Sequence, residues 1–266
     1  MKIVVTGKGG AGKTTVAAIL ARTLARTERE VIAVDADPNP NLGMALGLGA
    51  EATERLEAIV NVVLRDKAAH GHEHDHEGHA CDPPRDRSAP ELVDDLAVAA
   101  PDGVRLVQTG LIERPAEGCL CCGSHGTTRR IVNEVPADGR VVVADLEAGV
   151  NDLIWAYPKA DDVVVVVTEP YVKSLEVARR ALQVTRDVGV RRVLVAANRL
   201  ESDEDLADVA SALPDVEIVA VPEDPAVWQA DRDGVAALDA APDSPAVAAV
   251  AALAARLVEL EPAPTG

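Results

Sequence analysis

K-I-V-V-T-G-K-G-G-A-G-K-T-T, Lys2 to Thr15, is the stretch that decides the fold. An apolar run from Lys2 to Thr6 reads as a buried strand. Gly7 to Thr14 then fits G-x-x-x-x-G-K-[ST], and T-V-A-A-I-L-A-R-T-L-A-R, Thr15 to Arg26, continues at helical spacing. Strand, glycine loop and helix in that order make a phosphate cradle, because glycines let backbone N–H groups converge where a helix N-terminus already favours negative charge. Gly9, Gly10, Ala11, Gly12, Lys13, Thr14 and Thr15 are the expected cradle. Lys13 is expected at the β and γ phosphates, and the Thr14 hydroxyl on Mg²⁺.

Working outward, five more valine-rich runs hardly alternate: Val31 to Asp35, Val104 to Gln108, Arg140 to Asp145, Asp162 to Thr168 and Arg192 to Asn198. Such runs suit strands covered on both faces. A shorter strand is expected at Val216 to Ala220, and helical spacing recurs at Ser174 to Arg186 and Pro245 to Leu260. Alternating strands and helices predict an α/β fold, a P-loop NTPase with a mostly parallel twisted sheet and helices on both faces. With 266 residues, 48% of them hydrophobic, the chain suits one domain over residues 1–260 with a frayed tail at 261–266. One segment breaks the pattern. Residues 66–90 are polar, Pro-bearing and studded with His70, His72, His74, His76 and His79, and read as a surface insertion.

The net charge of -18 repels phosphate backbones and anionic lipid, so neither nucleic acid nor membrane is an expected partner. No run of about eighteen apolar residues and no signal-peptide pattern occurs, which predicts a cytoplasmic protein.

Acidic strand ends supply the remaining candidates. V-D-A-D-P-N-P-N from Val34 places Asp35 and Asp37 after one strand, and A-D-L-E-A-G-V from Ala144 places Asp145 after another. Asn198 follows the strand V-L-V-A-A, and V-P-E-D-P from Val221 brings Pro222 and Glu223 to the end of a later strand. Lys8 is a second lysine that the generic motif does not require, and K-G-G-x-G-K-[ST]-T resembles the deviant Walker A group that includes MinD, ParA, the arsenite-pump ATPase and the nitrogenase iron protein. That resemblance implies a nucleotide-sandwich homodimer in which Lys8 stabilises transition-state charge. It also implies a switch I in which Asp37 handles the attacking water and Asp35 supports the Mg²⁺ shell. Asp145 becomes a Walker B carboxylate holding Mg²⁺ through water, the Gly149 amide a γ-phosphate sensor, and Asn198, Pro222 and Glu223 a base pocket for ATP.

Three of the four cysteines fall within E-G-C-L-C-C-G-S-H-G, Glu117 to Gly126. Cys119 and Cys121 can face one metal ion, yet structural tetrahedral sites take four ligands, which a symmetric dimer would complete. Soft thiolates suit nickel, zinc, Cu⁺ or an Fe-S cluster. K-G-G-A-G-K-T-T, V-D-A-D-P-N, E-G-C-L-C and D-L-E-A-G together resemble the CooC-type ATPases that serve nickel insertion into carbon monoxide dehydrogenase. The resemblance runs to about Gly234 and implies an ATP-hydrolysing metallochaperone with nickel or zinc on Cys119 and Cys121 and a client metalloenzyme. The chain departs from that type at V-N-D-L-I-W-A-Y after Gly149, at Cys122, and at the histidine tract, whose imidazoles are candidate ligands for metal storage. Two alternatives stay open: a MinD-like or ParA-like positioning ATPase, and an Fe-S reductase resembling the nitrogenase iron protein.

Overall fold

Valine runs without polar alternation are stable only between two apolar layers, and the computed structural model puts them there. It describes residues 1–69, 87–110, 120–135, 137, 139–156 and 158–260, with backbone alone at 64, 66–69, 120–125 and 155. Strands β1 (Lys2–Gly7), β2 (Val31–Asp35), β3 (Val98–Ala99), β4 (Arg105–Gln108), β5 (Val141–Asp145), β6 (Val163–Thr168), β7 (Arg192–Leu200) and β8 (Glu217–Pro222) form one sheet. Their order is β3-β4-β2-β5-β1-β6-β7-β8, and every pair is parallel except β3 against β4 at one edge.

The helices in chain order are α1 (Lys13–Ala25), α2 (Leu42–Leu46), α3 (Ala50–Glu54), α4 (Ile59–Ala69), α5 (Ala89–Leu96) and α6 (Leu120–Glu134). They continue with α7 (Asn151–Ala156), α8 (Val172–Asp187), α9 (Asp203–Ala212), α10 (Pro225–Asp233), α11 (Ala237–Ala240) and α12 (Pro245–Glu259). Along β6, Val163, Val165 and Val167 join a core with Leu20 of α1 and Leu253 of α12. Val164 and Val166 join the opposite core with Leu182 of α8 and Ile131 of α6. Each such buried valine contributes about 1.5–3 kcal/mol, so the central strands hold both helical layers.

Strand β3 was not expected; two exposed residues at an edge carry no periodic signal. Strand β7 runs past its apolar stretch to Leu200, with a register shift between Ala197 and Leu200. The predicted 66–90 segment starts inside α4 and ends inside α5, where Ser88 and Glu91 form a capping box and Ala89 is buried. His70, His72, His74, His76 and His79 lie outside the described residues, as does the tail at 261–266. Among the described residues no helix is long and apolar enough to cross a membrane.

Parallel register aligns the carboxyl ends of the strands. Val5 and Asp35 each pair with Asp145, and Asp35 also pairs with Gln108. Ligands of open parallel sheets bind along this edge, where the loops diverge.

Candidate functional site

The P-loop leaves β1 through Gly7, whose φ of 151° and position against the Val167 carbonyl exclude any side chain. Gly12, with φ of 93°, turns the loop into α1, and a Cβ there would run into Asn198 Nδ2. A cleft of ≈ 410 Å³ opens over Gly10, Lys13, Thr14 and Thr15, with Asn41 and Arg199 on its walls. Lys13 is buried, and the Thr14 hydroxyl donates to Asp145 Oδ2 at 2.7 Å.

Asp35 and Asp145 are register partners on adjacent strands, each 1% exposed. Burial, with the Asp145 charge adding to it, pushes the Asp35 carboxyl up to about 8, against the pull of N–H groups donated by Leu42 at 2.9 Å and Asp37 at 3.2 Å. Burial also pushes Asp145 up to about 6, opposed by the Thr14 hydroxyl and the Lys13 charge. Asp145 Oδ1 is buried without a hydrogen-bond partner among the described residues. Two buried carboxylates on adjacent strands, with the Thr14 hydroxyl on Asp145, form a hard-oxygen donor set that fits Mg²⁺. Asp37, two residues on, accepts the Asn39 N–H at 2.8 Å, which fixes the turn that follows β2.

The register shift in β7 turns Asn198 and Arg199 toward the P-loop, and Arg199 takes a positive φ of 58°. Asn198 Nδ2 donates to the Ala11 carbonyl at 2.8 Å. Arg199 Nη1 donates to the Gly10 carbonyl and to Glu169 Oε1, both at 3.0 Å. The other oxygen of Glu169 lies 3.8 Å from Lys8 Nζ, which also donates to the Gly9 carbonyl at 3.2 Å. Glu169 is itself fixed, since its N–H donates to Ser174 Oγ at 3.0 Å. In this chain Lys8 therefore points to a carboxylate at the end of β6.

Asn198, Pro222 and Glu223 line one pocket together with Gly12, Thr15 and Trp228. Its loop is held by Asp224, which caps α10 and accepts the Ser244 hydroxyl at 2.5 Å while Ser244 caps α12. The Gly149 amide, expected to face a phosphate, donates to the Gly7 carbonyl at 2.9 Å. Cys119 lies outside the described residues, and Cys121 and Cys122 stand in the first turn of α6 with only their backbone described.

The family profile of the CobQ/CobB/MinD/ParA nucleotide binding domain matches residues 2–238. The chain belongs to this family. Fold, P-loop and family together make it a P-loop ATPase. It is similar to the carbon monoxide dehydrogenase accessory protein CooC of Rhodospirillum rubrum, 31% identical over 246 residues and 91% of each chain. An uncharacterized ATP-binding protein of Methanocaldococcus jannaschii is 30% identical over 77% of each chain. The septum site-determining protein MinD of Pyrococcus horikoshii, solved with Mg-ADP, shares the fold with a TM-score of 0.73 at 19% identity, covering 97% of this chain and 96% of that one.

Two residues at the family's phosphate loop escaped the sequence reading. Glu169 is an acidic strand end of the same kind as Asp35 and Asp145, so that signal was present. Arg199 carried none, because an arginine does not announce a left-handed backbone.

Proposed function

We propose that this chain is an ATP-hydrolysing metallochaperone. It carries nickel, or alternatively zinc, on Cys119 and Cys121 of two chains, and assists its insertion into a client metalloenzyme. Carbon monoxide dehydrogenase is the client to which the name of its CooC relative points. The observation that carries this reading is the likeness to that accessory protein along 91% of both chains, in a chain with C-x-C at Cys119 and Cys121.

In this reading Lys13 and the P-loop amides hold the ATP phosphates, and Thr14, Asp35 and Asp145 hold Mg²⁺. Bound Mg²⁺ would neutralise charge on the β and γ phosphates. Asp37 orients the attacking water, Lys8 exchanges Glu169 for a phosphate oxygen when two chains close, and Asn198, Pro222 and Glu223 receive the base. The histidines from His70 to His79 collect metal ahead of the thiols. ATP favours the closed homodimer and the shared thiolate site, and hydrolysis opens both beside the client.

The test is metal analysis of untagged protein with and without a non-hydrolysable ATP analogue, read beside the oligomer mass. One metal per dimer that depends on the analogue and disappears in Cys119→Ser/Cys121→Ser supports the reading. An unchanged stoichiometry in that double variant lacking residues 70–79 overturns it.

A further inference from the structure

The cysteine-bearing segment leaves the sheet from β4, and β4 is the parallel neighbour of β2, which carries Asp35. Just past β4, the Thr109 N–H donates to the Asp35 carbonyl at 2.8 Å, and the Thr109 hydroxyl reaches the same carbonyl at 3.2 Å. That hydroxyl also shares a hydrogen bond of 2.7 Å with the hydroxyl of Thr128 on α6. Both threonines are buried. Thr109 precedes the cysteines and Thr128 follows them, so one hydrogen bond closes the neck of the whole segment and anchors it to the backbone of Asp35.

Gly110 makes the contact tighter. A Cβ at this position would stand 2.9 Å from the carbonyl oxygens of both Ala36 and Asp37. These are backbone atoms, which cannot swing aside as a side chain would. The start of the segment therefore lies flat against the residues that follow β2, and a shift of Asp37 displaces it.

The neck also holds unspent polar groups. Both amide atoms of Gln108, the residue before Thr109, and the hydroxyl of Thr127, the residue before Thr128, are buried with no partner among the described residues. Gln108 faces away from α6, into a pocket with Asn41, Met44 and Leu56, so its unpaired amide lies behind β2 and β4, while the Thr127 hydroxyl lies on the α6 side. Coupling between two sites travels through packed and hydrogen-bonded contacts that both touch, and Thr109 with Gly110 makes such contacts with the backbone of Asp35, Ala36 and Asp37.

The geometry points to Thr109, Gly110 and Thr128 as positioning residues that transmit the nucleotide state from Asp35–Asp37 to the thiols. The inference rests on the metallochaperone reading above and adds the route by which ATP would set metal affinity. Linkage makes the effect reciprocal: metal on the thiols strengthens nucleotide binding by the same factor.

The experiment measures Zn²⁺ affinity of the full chain against a chromophoric competitor, with and without a non-hydrolysable ATP analogue and Mg²⁺. Wild type, Thr109→Val/Thr128→Val and Cys119→Ser/Cys121→Ser are compared. The wild type is expected to bind Zn²⁺ about tenfold more tightly with the analogue. In the threonine double variant that ratio falls to within about twofold of one, while analogue affinity without zinc stays within about threefold of wild type; the single variant Thr128→Ser, which keeps both hydroxyls, keeps the wild-type ratio. A threonine variant that keeps the wild-type ratio overturns the route, as does a wild type with thiol-bound zinc and no nucleotide dependence. Zinc binding unaffected by the cysteine substitutions in a chain that also lacks residues 70–79 instead overturns the metallochaperone reading itself. Hydrogen exchange on the wild type covers the case of a misfolded variant: the analogue must change protection at Thr109, Gly110 and Thr128, and unchanged protection overturns the route.

Discussion

Thr14 and Asp145 stand 131 residues apart in sequence and share a hydrogen bond of 2.7 Å. The first residues of α1 and the last of β5 are thereby tied at the mouth of the cleft, and the second oxygen of Asp145 has no partner among the described residues. Thr14→Ala and Asp145→Asn are expected to lower Mg²⁺-dependent ATP turnover about 100-fold, while Thr14→Ser keeps most of it. Titrating hydrolysis with Mg²⁺ checks this, and equal activity of the alanine and serine variants would refute the assigned donor set.

The Asp35 and Asp145 carboxyls, raised to about 8 and about 6, make metal-free stability fall with pH. Between the usual carboxylate range and those values the unfolded chain has lost protons that the folded chain keeps, so alkalinity favours unfolding. Well below 3.8, the ordinary aspartate value, the effect vanishes because both states are protonated. Metal-free protein is expected to lose roughly 5 °C of Tm from pH 5 to pH 8 relative to Asp35→Asn, and Mg²⁺ with nucleotide to restore more at pH 8 than at pH 5. Parallel Tm profiles of the two proteins would contradict the assignment.

Gly12 and Asn198 pack too closely for any added atom. Gly12→Ala should abolish nucleotide binding, since it combines a strained φ with a blocked Cβ. Asn198→Ala, which removes the hydrogen bond to Ala11 and part of the pocket wall, should weaken binding about tenfold. Calorimetric titration separates the two outcomes.

Lys8 and Glu169 predict opposite kinds of loss. Lys8 is partly exposed, so Lys8→Ala should leave Tm nearly unchanged while turnover falls about 100-fold. Glu169→Ala leaves Lys8 and Arg199 without their shared carboxylate and should lower Tm by about 3 °C. A Lys8→Ala protein with full turnover would remove the lysine from the reaction.

The parts legible in the sequence were those written in local chemistry. Gly7 to Thr14 gave a loop with one workable shape, and the valine runs gave β1, β2 and β4 to β7 to within a few residues. Asp35 and Asp145 were readable as strand ends, and parallel register brought them together. Glu169, the carboxylate beside Lys8, was readable as an acidic strand end, but Arg199, which shares it, was not, since its place depends on the irregularity after Ala197 and on a left-handed backbone. Nor was the Thr109 to Thr128 contact, because a threonine pair nineteen residues apart has no pattern until β4 and α6 are packed.

The position of β1 orders events during synthesis. It lies between β5 and β6 and pairs with residues as late as Val167. Made before either neighbour, the strand that feeds the P-loop waits until β5 and β6 are synthesised before both flanks are covered. Such distant pairing slows folding and leaves an apolar strand without neighbours meanwhile. A nucleotide that binds only the finished cradle cannot guide the early steps; it stabilises the product alone. Retention on an immobilised nucleotide would therefore report that the centre of the sheet has closed, and an amino-terminal fragment ending before β6 should pass through unbound.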